Sequence, residues 1–400
     1  MVDQFNLNLA NVPRELRLIL ELLKKDNREF IEANSSELVV GIDWDLFIKQ
    51  AIHHRVYPVL HTKCKEISGN LIPPNVIQKL SLEYKRNTFN MLQLSAEMER
   101  VSKIFTENHI RLLFLKGPVI AHDLYGDISQ RTSSDLDFLI PINELEKAEE
   151  IIENLGYEKD DYFTSVLNDW KWRHHHVTYF HPQKRMKLEI HWKLNPGLGF
   201  EPSFEELWSR KRKSNLTTNP VYLLGKEDLF FFLASHGARH GWSRLRWLLD
   251  IHQMTGQDID WGKTNMLLKV YHSHRVGAQA LVLSTKLLHS KISDTMEPIL
   301  DNKHSFRLAQ DAIFYFERMV NLHTDPVLED ISKYHARHLV SLMSSRQKVL
   351  FVLSCLHPLP EDAETLPLPK LLHFLYFPLR PFIWALRKKK KHSYPRGNES

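Results

Sequence analysis

A short apolar stretch that carries two carboxylates constrains this chain more than any other feature of its sequence. Asp135-Leu-Asp-Phe-Leu-Ile140 follows a polar loop from Gly126 to Ser134 and is closed by Pro141. This pattern predicts a buried strand. Because side chains alternate along a strand, Asp135 and Asp137 project from the same face. Two neighbouring carboxylates repel each other, and a divalent cation relieves that repulsion.

The aspartate pair predicts a site for Mg²⁺, with Mn²⁺ as an alternative, since hard cations prefer oxygen ligands and Mg²⁺ binds carboxylates together with substrate phosphates. The alternative is that one aspartate caps the loop and the other is solvated. We expect a third carboxylate on a neighbouring strand, and Glu189 in Met186-Lys-Leu-Glu-Ile-His-Trp192 is the best candidate. The alternative interpretation is that Glu189 and His191, which face the same way, form a charged pair on the exposed side of an edge strand. We predict Asp135, Asp137 and Glu189 as metal ligands and catalytic residues.

The residues around this strand fall into four stretches with different patterns. Residues 1–108 have helical periodicity, and residues 109–200 follow the order strand, helix, strand, helix, hairpin. That order is typical of a small mixed sheet with helices on one face. Residues 201–360 are helical again, and residues 361–400 form an apolar and then basic tail. We therefore predict an α+β fold in which a small mixed-sheet core is flanked by N- and C-terminal helical subdomains.

Periodicity and breaker residues also give approximate bounds for individual elements. The predicted core strands are residues 111–115, 135–140, 175–180 and 186–194. The predicted core helices are residues 119–125 and 143–155, and the later helices are residues 227–239, 244–254, 263–288 and 311–321.

Basic and glycine residues before the aspartates are candidates for binding phosphate. Lys116 and Gly117 lie where a strand leads into a helix, so free amide groups and the helix dipole favour an anion, and glycine allows close approach. Lys116 adds a point charge toward a triphosphate. The alternative is an ordinary turn with a solvated lysine. Arg131 is predicted as a phosphate clamp; its alternative role is an ion pair with Asp127 or Asp135.

Histidines and arginines suggest further contacts. Consecutive strand residues point alternately, so His174-His175-His176 is not expected to converge as three zinc ligands, and a structural or substrate-contact role is favoured. His236 and His240 have the spacing of a ligand pair on a helix, but glycines weaken that helix and no Glu follows His236. We predict instead that Arg239, Arg244 and Arg246 form a helical wall that contributes basic contacts to the nucleotide or the acceptor.

Charge and cysteine content exclude several classes of protein. The net charge is +5, but residues 370–400 carry +7 and the rest of the chain carries −2, which argues against a nucleic-acid groove across the body. Cys64 and Cys355 have no Cys or His at metal-ligand spacing, which argues against a disulfide scaffold and favours a reducing compartment. No secretory signal or membrane span is apparent, so we expect a cytoplasmic protein.

The tail joins an aromatic-rich apolar run, residues 371–386, to the basic cluster Arg387-Lys-Lys-Lys-Lys391. Such a combination can lie on an anionic membrane surface. The alternative is a last helix packed on the body and followed by a solvated basic end. Pro378 and Pro381 interrupt a long amphipathic helix and favour that alternative.

Several motifs occur together in this chain: Leu115-Lys-Gly117, Leu124-Tyr-Gly-Asp127, Arg131, Asp135-Leu-Asp-Phe-Leu-Ile140, Leu188-Glu-Ile-His-Trp192 and the segment Ser235–Asp250. Together they resemble the nucleotidyltransferase family built on the DNA polymerase β–like fold, and more narrowly its uncharacterised bacterial branch. The resemblance extends over roughly residues 40–290. In one place the chain departs from the wider superfamily: Lys116-Gly117 stands where Gly-Ser is usual, and the gap to Asp135 is longer.

The resemblance implies Mg²⁺-dependent transfer of a nucleoside monophosphate from an NTP to an acceptor. The acceptor class is a small molecule, a peptide or a protein, and the family's associations suggest a peptide natural product or a sugar phosphate. No specific nucleic-acid partner is expected. Two alternatives remain: a nucleotide-binding protein without turnover, and an interaction protein that contacts the membrane surface through its tail.

Overall fold

The structure is a computed structural model that describes residues 6–67, 71–160, 166–300, 302–322, 324 and 326–393, with side chains as far as Arg387. The end of the predicted basic tail, from Lys388 onward, therefore lies outside the described side chains. The fold is α+β, with one mixed seven-stranded sheet among many helices, so the predicted fold class is confirmed.

In the described part of the chain, six helices precede the sheet: α1 (Arg14–Leu23), α2 (Arg28–Ala33), α3 (Ser35–Val39), α4 (Trp44–His53), α5 (Tyr57–Glu66) and α6 (Pro74–Glu107). Pro74 occupies the first turn of α6, where a missing N–H has no cost. The helix then runs for 34 residues across the sheet, and near its end the Phe105 ring lies 5.2 Å from the Phe138 ring. Helix α6 thereby covers the strand that carries the aspartates.

The strands are β1 (Leu113–Phe114), β2 (Asp135–Leu139), β3 (Glu158–Lys159), β4 (His176–His181), β5 (Met186–His191), β6 (Arg212–Lys213) and β7 (Tyr222–Leu223). Their order in the sheet is β3-β4-β5-β2-β1-β7-β6. The four predicted strands are present, although the first is shorter than expected. Strands β3, β6 and β7 were missed because two residues are too few to show alternation.

The pairing of β2 with β5 determines where the acidic residues lie. The two strands are parallel, and Asp137 is directly opposite Glu189. On the other side of β5, the antiparallel strand β4 places His176 opposite His191. Strand β5 is therefore an inner strand, and the alternative that placed Glu189 on an exposed edge strand is wrong.

Short helices connect these strands: α7 (Pro118–Tyr125), α8 (Leu145–Asn154), α9 (Trp170–Arg173) and α10 (Phe204–Ser209). Single 3-10 segments lie at Ile128–Gln130, Ile142–Glu144, Asp294–Met296 and Lys370–Leu375. Both predicted core helices are confirmed to within two residues. Helix α8 ends as expected, since Gly156 follows it with a φ of +89° that glycine adopts without strain.

The C-terminal helices are α11 (Lys226–Arg239), α12 (Leu245–Thr255), α13 (Trp261–Val270), α14 (His274–Leu288), α15 (Glu297–Leu300), α16 (Lys303–Glu317), α17 (Glu329–Leu342), α18 (Ser345–Ser354), α19 (Pro360–Thr365) and α20 (Tyr376–Ser393). The single helix predicted over 263–288 is wrong. The chain breaks at His272, whose φ is +55°, and α14 turns back onto α13. A Cβ on Gly277 would lie 2.5 Å from Leu268 Cδ1, so glycine permits this close packing.

Most buried apolar residues form one continuous cluster from Val12 to Leu342, which includes helices from both ends of the chain and the sheet between them. The division at residues 108, 200 and 360 stays a prediction. Val166, Tyr376 and Ile383 form a second, smaller cluster. No helix in the described part of the chain combines the length and apolar character needed to span a bilayer.

A buried ion pair fastens the loop before β2 to the C-terminal helices. The Arg131 guanidinium donates to both carboxylate oxygens of Asp250 on α12, at 2.9 and 3.0 Å. Tyr125 Oη donates to the same carboxylate at 2.8 Å. Both charged side chains are almost completely buried. The partner is therefore Asp250, 119 residues away, and neither Asp127 nor Asp135 as the sequence suggested.

Replacing Arg131 should strongly destabilise the fold. Arg131→Met leaves the Asp250 carboxylate buried without its partner, which should lower the free energy of unfolding by about 3–5 kcal/mol. Urea unfolding followed by circular dichroism measures this change. The control is Lys79→Met, which removes an exposed pair with Asp45 and should change stability by about 1 kcal/mol or less. Equal losses in the two variants would contradict the structural role of Arg131.

Candidate active site

Three side chains on β2 and β5 form a compact buried cluster. Asp137 is fully buried, and Glu189 is 9% exposed. His191 Nε2 lies 3.3 Å from Asp137 Oδ1 and 3.4 Å from Glu189 Oε2. One potential ligand atom from each of the three residues lies within 4.8 Å of the others. Asp135, at the start of β2, is half-buried and lies at the edge of this cluster.

Lys116 reaches the cluster from the turn between β1 and α7. Its Nζ lies 2.7 Å from Asp137 Oδ1, and the side chain is largely buried. Gly117 follows with φ +85° and ψ −154°, a backbone region that is essentially restricted to glycine. A Cβ there would lie 3.3 Å from Leu136 Cδ2. The glycine thus lets the turn lie against β2 and directs Lys116 to the aspartates.

Burial and mutual charge set the protonation of this cluster. Burial raises the pKa of Asp137 to about 6, although Lys116 opposes that shift. Burial would also raise the pKa of Glu189, but the hydrogen bond from His191 and the charge of Lys116 hold that pKa well below its usual range. Burial would lower the pKa values of His191 and Lys116, yet the neighbouring carboxylates raise both. The carboxylates thus favour the protonated, cationic forms of Lys116 and His191.

Two buried polar atoms of the cluster lack a hydrogen-bond partner within the described residues: Asp137 Oδ2 and His191 Nδ1. A buried carboxylate oxygen without a donor is costly, and a bound cation would satisfy it. Asp137, Glu189 and Asp135 offer carboxylate oxygens of the kind that Mg²⁺ and Mn²⁺ bind. The donor set therefore fits the divalent cation that the sequence predicts.

The histidine run contributes to this region in a way that the sequence did not predict. His191 stands beside His175 and His176, so three imidazoles converge although the consecutive residues 174–176 do not. His191 was missed as a site residue, because its convergence depends on the register of β4 against β5. Its signal in the sequence is the spacing of two residues from Glu189. Burial and the neighbouring His191 and Arg239 hold the pKa of His175 far below its usual value.

A cavity of about 670 Å³ opens over the cluster, and its wall is strongly basic. Asp135 and Glu189 are its acidic lining residues. Its lysines and arginines are Arg55, Lys116, Arg131, Lys187, Arg239, Arg244 and Arg246. Seven cations against two carboxylates suit a ligand with several negative charges, and the volume is typical of small-molecule sites.

The predicted arginines of the helical wall do line this cavity. Arg239 Nη1 lies 3.2 Å from His175 Nε2, and Arg239 Nη2 lies 3.2 Å from His236 Nδ1. Arg244 donates to Asn321 Oδ1 at 2.9 Å. Burial lowers the pKa of each guanidinium to about 10, so both remain charged at neutral pH. Their contact with a nucleotide stays a prediction.

Two basic lining residues were not singled out from the sequence, Arg55 and Lys187, whereas Arg246 was predicted together with Arg239 and Arg244. Lys187 Nζ lies 3.1 Å from Glu189 Oε1, and the spacing of two residues on one strand was the available signal. Arg246 donates to the Thr132 carbonyl at 2.6 Å, and burial lowers its pKa to about 9. Arg131 also lines the cavity, but its guanidinium is held by Asp250, and its role as a phosphate clamp stays a prediction.

The mixed sheet, with carboxylates on two parallel neighbours below a basic cavity, defines the class: an α+β protein with a nucleotidyltransferase-like core. The chain belongs to the family described as "Uncharacterised nucleotidyltransferase", which matches residues 41–289. The resemblance seen in its motifs is therefore confirmed at the level of the family, and nucleotidyl transfer is the general function that this family supports.

Comparison with solved structures gives a weaker likeness. An antigenic nucleotidyltransferase-like protein from Paracoccidioides brasiliensis is 16% identical in sequence, and the match covers 50% of this chain and 94% of that protein. The TM-score is 0.32, so the two chains have only a general likeness. No curated protein matches the chain.

Divalent cations should stabilise the native protein through this cluster. A cation that binds only the folded state raises the free energy of unfolding by mass action. We expect millimolar Mg²⁺ or Mn²⁺ to raise the melting temperature of the wild type, and Asp137→Asn to abolish that rise. Differential scanning calorimetry with and without the cation measures it.

The matched control is Asp258→Asn, which changes an exposed carboxylate outside the described lining of the cavity. This variant should keep the full rise in melting temperature. An equal rise in Asp137→Asn, or none in the wild type, would contradict the assignment of the metal site.

Proposed function

We propose that this protein is a divalent-metal-dependent nucleotidyltransferase, which transfers a nucleoside monophosphate from an NTP to a small-molecule, peptide or protein acceptor. The observation that carries the proposal is the placement of Asp137 beside Glu189 on two parallel strands, directly below a cavity lined by seven cationic side chains. Carboxylates for a metal and cations for phosphates are the two requirements of phosphoryl chemistry.

In this proposal, the two sides of the cavity hold different parts of the NTP. Lys116, just before the N-terminus of α7, faces the phosphates from the side of the sheet, where the helix dipole adds a favourable potential. Arg239 and Arg244 approach from the helical side. Together these groups fix the triphosphate and reduce its charge before reaction, which favours attack at a defined phosphorus.

The reaction forms one bond and breaks one. A nucleophilic atom of the acceptor forms a bond to the α-phosphorus of the NTP, and the bond from this phosphorus to the bridging oxygen breaks. Pyrophosphate leaves with the electron pair, and the acceptor's proton is released. Asp135, Asp137 and Glu189 would hold Mg²⁺ or Mn²⁺, which activates the attacking oxygen and neutralises charge on the leaving pyrophosphate.

A nucleotide-binding protein without turnover is the main alternative. Such a protein needs the basic wall but has no need for a third carboxylate beside the first two. Glu189 is buried and hydrogen-bonded within the cluster, and its carboxylate stays ionised despite burial. An ionised Glu189 next to Asp137 is electrostatically unfavourable because the two negative charges repel each other. A bound metal ion would offset that repulsion, so the presence of both carboxylates favours the metal-dependent enzyme.

Incubation with each of the four NTPs, a divalent cation and a cell lysate, followed by mass spectrometry, tests the proposal. We expect a covalent gain of one nucleoside monophosphate mass on an acceptor. Asp135→Ala should abolish that gain because the metal loses a ligand. Asp258→Ala, which removes an exposed carboxylate, should leave it unchanged. An equal yield from Asp135→Ala would refute the proposed catalytic site.

Glu189→Ala separates transfer from simple binding. An enzyme should lose transfer in this variant while its equilibrium affinity for the NTP, measured by calorimetry, stays within a few-fold of the wild type. Undiminished transfer by Glu189→Ala would exclude a catalytic role for this carboxylate.

A further inference from the structure

A second cavity of about 410 Å³ lies next to the basic one, and Pro196 and Arg239 line both. Its character is different, since most of its wall is apolar. The apolar side chains that define it are Leu198, Phe200, Val276, Leu339, Met343 and Phe351. We call the first cavity, above the carboxylate cluster, the basic chamber, and this second cavity the apolar chamber. The two chambers meet at Arg239.

The wall nearest to the carboxylate cluster is a well-anchored loop that follows β5. Glu201 accepts hydrogen bonds from the backbone N–H groups of Leu194 and Asn195, at 3.0 and 2.9 Å. Lys193 Nζ donates to the Gly197 carbonyl at 2.6 Å. These bonds fix the loop that carries Leu198 and Phe200. The same chain segment thus contributes Glu189 and His191 to one chamber and an apolar wall to the other.

We propose that the apolar chamber binds the acceptor, which is therefore a small amphiphilic molecule: an apolar aromatic or aliphatic body with one nucleophilic group. This inference rests on the proposed nucleotidyl transfer. The NTP occupies the basic chamber because its charges need the cations there, and the apolar chamber lies beyond Arg239. An acceptor body seated in it places the nucleophilic group at the shared boundary, on the side of the carboxylate cluster.

The chemistry of the apolar wall selects against very polar acceptors. Burying apolar surface against Phe200, Val276 and Phe351 favours a hydrophobic body, whereas a free sugar phosphate would lose hydration against the apolar surface that makes up most of this wall. Arg239 is already engaged by two imidazoles and marks the boundary between the chambers.

The test uses wild-type protein, NTPs labelled at the α-phosphate, and a small-molecule cell extract separated by reversed-phase chromatography into polar and apolar fractions. We expect a labelled product from the apolar fractions, retained longer than the free nucleoside monophosphate. Labelled product from the polar fractions alone would overturn the inference. No labelled product from any fraction would also overturn the inference, and nucleotidyl transfer itself would be refuted only if the whole lysate, with its peptides and proteins, gave no labelled product either.

Two substitutions in the loop after β5 test whether the acceptor binds in the apolar chamber. Leu198→Ser and Phe200→Ser change side chains that are partly exposed, so the fold should tolerate them. We expect the KM for the acceptor to rise about tenfold or more, because apolar contact is lost, while the KM for the NTP and the cation-dependent rise in melting temperature stay unchanged. The control is Met266→Ser on α13, an exposed apolar residue outside the described lining of both cavities. If Leu198→Ser and Phe200→Ser had the same KM for the acceptor as Met266→Ser, the assignment of the apolar chamber as the acceptor site would be contradicted.

The first three turns of α20 are rich in apolar side chains, and several of these lie exposed at the protein surface. One side packs into the body through Tyr376 and Ile383, and Arg387 pairs with Asp362 at 2.8 Å. Large apolar side chains on the remaining sides are exposed to between 44% and 69%: Phe377, Phe382, Trp384 and Leu386. A group of exposed apolar side chains of this size commonly marks a surface that binds a partner or a membrane.

Helix α18 extends this exposed region. Val349, Val352 and Leu353 are each more than half exposed, and the Phe377 ring lies 5.2 Å from His357, just after α18 ends. We infer that the exposed faces of α18 and α20 bind an anionic membrane surface. The argument is charge complementarity, since the sequence continues from this apolar face into four consecutive lysines.

Co-sedimentation with vesicles tests this second inference. The full chain should bind phosphatidylcholine vesicles that contain phosphatidylserine, bind pure phosphatidylcholine vesicles less, and dissociate as salt is raised. Phe382→Ser combined with Trp384→Ser should reduce binding at least fivefold, whereas Met266→Ser should not. Equal binding by the double variant would contradict the inference. A wild type that is dimeric in solution, together with a double variant that is monomeric, would also contradict the inference, because a second copy of the chain would then cover this face.

Discussion

The parallel pairing of β2 with β5 is the constraint on which the rest of the site depends. It places Asp137 directly opposite Glu189 and fixes two negative charges inside the sheet. Such an arrangement is unfavourable unless cations compensate it. Lys116 does so, and the glycine that follows it lets the lysine reach the cluster, where His191 lies beside both carboxylates. Asp137 Oδ2 has no hydrogen-bond partner among the described residues, and this oxygen is where the proposed cation would bind.

The C-terminal helices complete the site from the opposite side. Helix α12 is held against the loop before β2 by the ion pair of Arg131 with Asp250, and α11 contributes Arg239 at the border of the two chambers. The apolar core that joins these helices to the sheet is continuous, so the basic wall and the carboxylates belong to one packed unit. The basic chamber suits a charged ligand and the apolar chamber suits an apolar one. These properties match the NTP and the amphiphilic acceptor of the proposed transfer reaction.

The sequence predicts those elements of the fold that are long enough to show a local periodic pattern of apolar residues. Strands β2 and β5 are long enough to show alternation, which is why Asp137 and Glu189 were identified before their contact was known. The partner of Arg131 could not be predicted, because Asp250 is 119 residues away and only tertiary packing joins them. The convergence of His191 with His175 depends on strand register, which no single strand specifies. The break at His272 carried no glycine or proline signal.

The central claim is that Asp137 and Glu189 hold the catalytic cation of a nucleotidyltransferase. A crystal structure with Mn²⁺ and a non-hydrolysable NTP analogue, with anomalous data collected at the manganese edge, tests it most directly. The account predicts an anomalous peak in contact with Asp137 and Glu189, and the triphosphate against Lys116 in the basic chamber. A peak bound by His175 and His176 without either carboxylate, or a triphosphate outside this chamber, would contradict it.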